Sequence, residues 1–272
     1  MASVTAADIK KLRESTGAGM TDCKNALVEA DGDYDKAVEI LRIKGLKGVA
    51  KREGRAASNG LIAAVLEEGK RGTILELNCE TDFVAKSDRF ITLADRVVNS
   101  ARGLNDAKEI VVDGKPIQEV LDDAGAALGE KIEVRRVASF EGAHVGLYLH
   151  RTNPDLPPQV GVLVELSGEN PAVAKDIAQH IAAFAPLYVT RDEVSDDIVA
   201  KEREIAEATA REEGKPEAAL PKIVEGRVNG FYKEAVLVEQ AFAKDNKKTV
   251  AKVLEEAGVN VLGFARFKVG QA

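Results

Sequence analysis

Asp82-Phe83 is the residue pair in this chain best suited to act on another molecule. A carboxylate accepts hydrogen bonds, and a phenyl ring can fill an apolar gap. The chain supplies its own comparison for that pair. Shifted by 89 residues, Gly72-Thr-Ile-Leu-Glu-Leu-Asn-Cys-Glu-Thr-Asp-Phe-Val-Ala-Lys86 lies over Gly161-Val-Leu-Val-Glu-Leu-Ser-Gly-Glu-Asn-Pro-Ala-Val-Ala-Lys175 without a gap. Gly, Glu, Leu, the second Glu, Val, Ala and Lys coincide. The copies diverge most where one reads Thr81-Asp82-Phe83 and the other Asn170-Pro171-Ala172. Asn-Pro is a helix start, with Asn as N-cap and Pro at the first helical position. By register Thr81 is then an N-cap, and Asp82 and Phe83 fall in the first turn of a helix. The scaffold is satisfied with Pro-Ala there. An acid and a ring in its place are not demanded by the fold and point to a partner. The plainer reading is that Phe83 packs on its own helix and Asp82 stabilises the helix N-terminus.

Other reactive residues form no constellation. There is no Walker A loop, no G-x-S-x-G, no C-x-x-C and no H-E-x-x-H. His144 and His150 lie six apart on one expected strand and share a face, but with His180 they are not spaced as metal ligands. No metal site and no cofactor is expected. Cys79, at the end of a strand, reads as a small core residue rather than a nucleophile. Cys23 and Cys79 make no disulfide framework. The carboxylates are spread along helix faces and read as solvated surface. An enzyme acting through Cys79 or His150 is the reading this pattern favours least.

Composition narrows the partners. The net charge is −7, with 11 basic and 9 acidic side chains in residues 1–55 and 27 against 36 in the remainder. An acidic body without Trp lacks both the basic face and the stacking surface of a nucleic-acid binder. No apolar run approaches the roughly 20 residues that span a bilayer. The start, Met1-Ala-Ser-Val-Thr-Ala-Ala-Asp8, has neither a basic region nor an apolar one behind it, so a reducing cytoplasm is the expected compartment.

The elements that must position Asp82-Phe83 follow from periodicity and punctuation. Residues 5–45 read as three short helices, about Ala6–Ser15, Thr21–Ala30 and Asp35–Lys44, broken at Thr16-Gly-Ala-Gly19 and Asp31-Gly-Asp33. Gly45 to Gly60 reads as a helix tail and then a basic linker. Leu61–Leu66 and Thr73–Asn78 form a hairpin, a helix runs from Asp82 to about Arg102, another from Pro116 to about Leu128, and Ile132–Ala138 is a strand. The second copy repeats the order: Val145–His150, Val160–Leu166, a helix from Pro171 to Ala185, and far downstream Val253-Leu-Glu-Glu-Ala-Gly258 echoing Val120-Leu-Asp-Asp-Ala-Gly125 before the strand Val261–Val269. The expected fold is α+β: a helical module with its linker over 1–55, one ββα…αβ unit over 56–141 and a second over 142–272, each an antiparallel sheet covered by helices on one face. The second unit carries an αα-hairpin over 193–230, with Ile198, Ile205 and Ala208 on one stripe of its first helix and Ile223, Val224 and Val228 on its second. It projects as an antiparallel coiled coil or packs flat on its own core.

Two segments, Leu12-Arg-Glu-Ser-Thr-Gly-Ala-Gly-Met-Thr-Asp-Cys-Lys-Asn-Ala-Leu27 and Glu76-Leu-Asn-Cys-Glu-Thr-Asp-Phe-Val-Ala-Lys86, resemble the signature motifs of bacterial elongation factor Ts. Gly129-Glu-Lys-Ile-Glu-Val-Arg-Arg-Val137, Gly214-Lys-Pro216, Val224-Glu-Gly-Arg227 and Gly263-Phe-Ala-Arg-Phe267 also resemble family segments. The likeness covers nearly the whole chain. It implies a guanine-nucleotide exchange factor that performs no covalent chemistry and whose partner is elongation factor Tu. It further implies a ubiquitin-associated-like N-terminal module docking through Arg13, Gly17, Gly19, Met20 and Lys24. Thr81, Asp82, Phe83 and Val84 are implied to dislodge magnesium from the partner, and the Tyr148-Leu-His150 stretch to contact another of its domains. The hairpin is a dimerisation or accessory element in some relatives, which leaves a homodimer or a 2:2 complex open. Some relatives continue into a C-terminal helix where this chain ends in Phe267-Lys-Val-Gly-Gln-Ala272, so that contact is expected to be missing or replaced. The loop Arg151–Pro158 is longer and richer in Pro than the resemblance implies. The alternative is a binding scaffold without exchange activity.

Overall fold

The structure, a computed structural model, describes residues 4–16, 18–52 and 54–271, with the backbone alone for 46–52. Helices α1 (Ala6–Thr16), α2 (Met20–Glu29) and α3 (Tyr34–Arg52) close around Leu12, Cys23, Ala26, Leu27, Ala30 and Ala37. Thr5 caps α1 reciprocally. Its hydroxyl accepts the Asp8 N–H at 3.2 Å, and the Asp8 carboxylate accepts the Thr5 N–H at 3.0 Å. The Thr5 hydroxyl also donates to the Asp8 carboxylate, at 2.6 Å, and that bond first, with the Thr5 N–H second, holds the Asp8 carboxyl below its ordinary range.

The third helix corrects the sequence reading. It does not end at Lys44 but runs on to Arg52. Gly45 is not a breaker. A Cβ there would stand 2.5 Å from the Ala126 Cβ, so glycine lets two helices approach closely. The neighbour is α6, introduced below, and Arg42 of α3 reaches its Glu119 at 2.9 Å and Asp123 at 3.1 Å.

Strands β1 (Asn59–Glu67) and β2 (Arg71–Cys79) form the expected hairpin, turning through Glu68 and Gly69, both at positive φ. The sequence reading carries one helix from Asp82 to about Arg102, but two are present: α4 (Asp82–Ala85), a single turn, and α5 (Asp88–Ser100). Ser87 divides them. Its hydroxyl donates to the Val84 carbonyl at 2.8 Å and accepts the Phe90 N–H at 3.3 Å, ending one helix and capping the next. The short pair β3 (Val111–Val112) and β4 (Lys115–Pro116) leads into α6 (Ile117–Leu128), and β5 (Glu133–Glu141) completes an antiparallel sheet of order β1-β2-β5.

The second half repeats the arrangement. Strands β6 (His144–His150) and β7 (Val160–Leu166) are followed by α7 (Pro171–Phe184). The hairpin α8 (Asp196–Glu212) and α9 (Leu220–Ala235) intervenes. Then come β8 (Ala241–Phe242), β9 (Asp245–Thr249), α10 (Val250–Ala257) and β10 (Val261–Lys268), giving a sheet of order β10-β7-β6. The expected α+β class of mixed helices and antiparallel sheets is what the chain adopts. In each sheet the edge strand bulges at the matching place, beside Leu77 in one and Leu166 in the other. The seam of the hairpin differs from expectation. Ala206, Val224 and Val228 form it with Val199 and Tyr232, while Ile198, Ile205 and Ala208 face outward. The small residues set the contact because close helix packing favours them over the isoleucines.

The central strands are buried on both faces. Leu75, Leu77 and Cys79 of β2 point into a core with Phe90, Val97 and Leu121, and Leu166 and Val164 of β7 do the same with Ile177 and Ile181. Their opposite faces meet each other. Ile62, Ile74, Val145, Leu163 and Phe267 form a shared core between the two sheets. The matched glycines of the sequence repeat belong there. A Cβ on Gly72 would lie 2.8 Å from Leu163, and one on Gly161 2.6 Å from Ile62. Glu76 is fully buried in β2. It pairs with Arg136 at 2.5 Å and accepts the Gly270 N–H at 3.0 Å, tying the end of the chain to the first sheet. The loop 151–159 also crosses over, with the Pro158 carbonyl accepting the Ile62 N–H at 2.8 Å.

Candidate functional site

Thr81 occupies the expected N-cap. Its backbone is extended, at φ −124° and ψ 156°, and its hydroxyl accepts the Val84 N–H at 3.3 Å. Asn170 does the same in the second unit, accepting the Val173 N–H at 3.2 Å. After the cap the chain turns once, and the apolar pattern sorts the side chains. Ala85 is buried, Val84 packs on the core of α5 and α6, and Phe83 is 71% exposed. The aromatic ring therefore stands outside the hydrophobic interior of its own chain. Lys86 lies with its Nζ 4.7 Å from the ring centroid and 3.9 Å from Asp82 Oδ2. An ammonium over one face of an exposed ring is worth roughly 0.5–1 kcal/mol, enough to bias its orientation.

The base of this turn is held by groups that periodicity did not single out. Glu130 accepts the N–H groups of Glu80 and Thr81, each at 3.0 Å, and the Thr81 hydroxyl proton at 2.5 Å. In return the Glu80 carboxylate accepts the Lys131 N–H at 2.7 Å. Asn59 Nδ2 donates to the Glu80 carbonyl at 2.8 Å, and Arg55 pairs with its carboxylate at 3.1 Å. Cys79 Sγ sits underneath and donates to the Thr81 carbonyl at 3.2 Å. Burial, with the nearby Glu130 charge second, pushes the Cys79 thiol up to about 12. It is a core residue and not a nucleophile at neutral pH.

The helical module approaches the same region. A cleft of about 440 Å³ lies between Ser15 and Thr16 at the end of α1 and Asp88, Arg89 and Thr92 at the start of α5. Arg13 is exposed in the last turn of α1, and Gly19 is the extended N-cap residue of α2. Met20 and Lys24 are exposed one turn apart on α2. Val28, a further turn along and 60% exposed, extends the stripe and was missed in the sequence; its four-residue spacing from Lys24, two turns on from Met20, was its signal. Gly17 lies outside the described residues.

His150 is exposed at the end of the edge strand β6, with Nδ1 3.1 Å from the Tyr148 hydroxyl and the two rings stacked 6.1 Å apart. His144 is buried near Gly69, and His180 is fully buried on α7. Among the described residues no group of three or more His, Cys, Asp or Glu could hold a metal ion, and no helix is long and apolar enough to cross a membrane. What this geometry offers is contact: a turn, tied at its foot, that projects a phenyl ring and a carboxylate, and an exposed apolar and basic stripe on a helix of the N-terminal module.

Comparison with known proteins matches the chain to one family. The profile described as Elongation factor TS matches residues 80–271. An elongation factor Ts of Acidothermus cellulolyticus is 61% identical, with all of both chains covered. One of Pseudarthrobacter chlorophenolicus is 60% identical over 99% of this chain and all of its own. One of Thermobifida fusca is 57% identical over the whole of both chains.

Proposed function

This chain belongs to the elongation factor Ts family and serves translation elongation, and from that premise we propose that it is the exchange factor of elongation factor Tu and that Thr81–Val84 is its working edge. The partner, a GTPase, holds GDP through backbone amides around the phosphates and a magnesium ion bridging phosphate oxygens. Phe83 enters an apolar gap beside that ion and displaces the groups that order its ligands, while Asp82 offers a carboxylate to a nearby donor. The reading is supported by one observation above others: Phe83 is 71% exposed at a helix start where the sister unit makes do with Pro171-Ala172.

Magnitudes limit the ring's share. Weakening nucleotide binding a thousandfold takes about 4 kcal/mol. Burying one Phe side chain yields roughly 1.5–3 kcal/mol. Other contacts must contribute. We assign them to the ubiquitin-associated-like module, through Arg13, Gly17, Gly19, Met20 and Lys24, and to His150 of the second unit. Coupling is reciprocal, so nucleotide weakens factor binding by the same factor that the factor weakens nucleotide binding. No bond is made or broken by this chain, no cofactor is needed, and the cytoplasm is where the partner would be met.

Stopped-flow release of a fluorescent GDP from elongation factor Tu tests this. Phe83→Ala should leave the circular dichroism spectrum unchanged and slow release at least about tenfold, the lower end of what losing one buried Phe predicts. Unchanged release, with a complex of normal size on a sizing column, would leave a scaffold that binds without exchanging.

A further inference from the structure

The two units close the foot of the matched turn differently. In the second, the C-terminal glycine of α10, Gly258 in the left-handed conformation, is followed by buried Val259 and then by Asn260. Ser167 and Asn260 exchange bonds at 2.9 Å: the Ser167 N–H donates to the Asn260 carbonyl, and the Asn260 N–H to the Ser167 hydroxyl. In the first unit α6 also ends on a left-handed glycine, Gly129, and the buried aliphatic residue is Ile132. Between them stand two extra residues, Glu130 and Lys131. The register of the strands fixes the comparison, because Val134 pairs with Leu77 as Val261 pairs with Leu166. The insertion supplies four bonds to residues 80 and 81: three acceptor contacts from the Glu130 carboxylate and one donor contact from the Lys131 N–H.

We propose that Glu130 is the positioning residue of the exchange edge, acting through Thr81 to hold Phe83 in its projecting orientation; this rests on the reading of Phe83 as the group that enters the partner. A hydroxyl has one proton and two lone pairs. Glu130 takes the Thr81 proton, so the oxygen is left to accept the Val84 N–H and start the helix. Asn170 caps with an amide oxygen and needs no such help. The two backbone contacts fix the chain entering the turn. Since α4 has one turn only, its direction rests on these contacts at its start together with buried Ala85 and the Ser87 bond to the Val84 carbonyl at its end. The same α6 that carries Gly129 receives α3 through Arg42, so the foot of the turn and the seat of the helical module share one support.

Three variants test the assignment. Glu130→Ala should lower the maximal rate of fluorescent GDP release at saturating factor at least about fivefold, with the half-saturating concentration changed less than about twofold, because the α2 stripe and His150 are untouched. Glu130→Gln, whose amide oxygen still accepts both N–H groups, should stay within about threefold of the parent. Adding Glu130→Ala to Phe83→Ala should slow release no further, since one acts through the other. A second readout needs no partner. With the turn loosened, Cys79 in the free Glu130→Ala protein should be alkylated at least about tenfold faster, read by peptide mapping. If Glu130→Ala fails to give the parent's circular dichroism spectrum, Glu130→Met, which keeps the length without the acceptors, takes its place. Parent-like maximal rates alongside a slow Phe83→Ala would overturn the role of Glu130, as would additive losses in the double variant. A parent-like Phe83→Ala would instead overturn the reading of the ring, and Cys79 labelling would still decide whether Glu130 holds the turn.

Discussion

The two matched helix starts, Thr81–Lys86 and Asn170–Lys175, share a cap, two packing residues and an exposed lysine, and differ at the two positions after the cap, Asp82-Phe83 against Pro171-Ala172. Val84 and Val173 both pack on their cores, and Ala85 and Ala174 are both buried. Beyond that the second start is optimised for a helix. Asn caps it, Pro begins it, and it runs 14 residues without a break. The first spends its opening turn on an acid and an exposed ring, stops after four residues and begins again at Ser87. It also needs two inserted residues at its foot. A duplicated scaffold thus separates what folding requires from what has been added, and the additions cluster within one turn.

The strongest test exchanges the two starts. Asp82→Pro with Phe83→Ala gives positions 82–86 the sequence of 171–175. Thr81 is already extended, the conformation a following proline requires. The variant should fold with a melting temperature close to the parent's and stimulate GDP release roughly 10- to 100-fold less, the range expected from losing one buried Phe. The reverse graft, Pro171→Asp with Ala172→Phe, should leave release unchanged. If the reverse graft alone altered exchange, the asymmetry assigned to the two units would be wrong.

A smaller effect separates capping from presentation. Asn170→Ala should cost about 1 kcal/mol of stability in urea unfolding, the usual value of a lost N-cap, with exchange unaffected. Thr81→Ala should cost more, on the order of 2 kcal/mol, because it also strips a partner from a partly buried carboxylate, and it should slow GDP release as well. Equal exchange by the two variants would mean that the Thr81 cap serves stability alone.

Both caps were legible in the sequence because an N-cap is a local decision, written within four residues. The hairpins and the antiparallel strands of both units were legible for the same reason, through alternation and the repeat, but the strand orders were not. What escaped was set by contacts distant along the chain. Gly45 reads as a helix end, and only the approach of Ala126 explains why it lies within one. Gly72 and Gly161 were seen to match, but not that each makes room for the opposite sheet. Ile198 and Ile205 carry more apolar surface than Val199 and Ala206, yet the smaller residues form the seam because helix α9 sits close. Ser87 reads as helical within a span from Asp82 to Arg102, although a serine one turn past a cap can serve as a second. Phe83 and Asp82 were picked out by contrast with the sister copy. Glu130, some 50 residues from the turn it holds, leaves no periodic trace; the two-residue surplus between Gly129 and Ile132 was its only signal.

The mildest way to pull the units apart is acid. His180 of α7 has Ile91 as its counterpart in the first unit, by the same shift of 89. His180 is fully buried, with Nε2 2.7 Å from the Gln240 Oε1, and its Nδ1 accepts the Ala243 N–H at 3.1 Å. Accepting at Nδ1 fixes the neutral ring with its proton on Nε2. A second proton would have to sit at Nδ1, facing the Ala243 N–H. Burial lowers the pKa, and the Gln240 bond opposes that shift without reversing it. The unfolded chain titrates near 6.5. Between that value and the lower folded one the unfolded chain holds more protons, so stability is complete above about 6.5 and falls as the pH drops below it. Gln240 also donates to the Glu234 carbonyl at 2.6 Å, so the loss should centre on the base of the helical hairpin. Hydrogen exchange at pH 7.5 and 5.5, corrected for intrinsic rates, should show protection falling in α7 and 240–243 while β1 and β2 hold theirs. Carboxylates remain mostly ionised over that interval, so a loss spread evenly over both sheets would place the acid sensitivity somewhere other than His180.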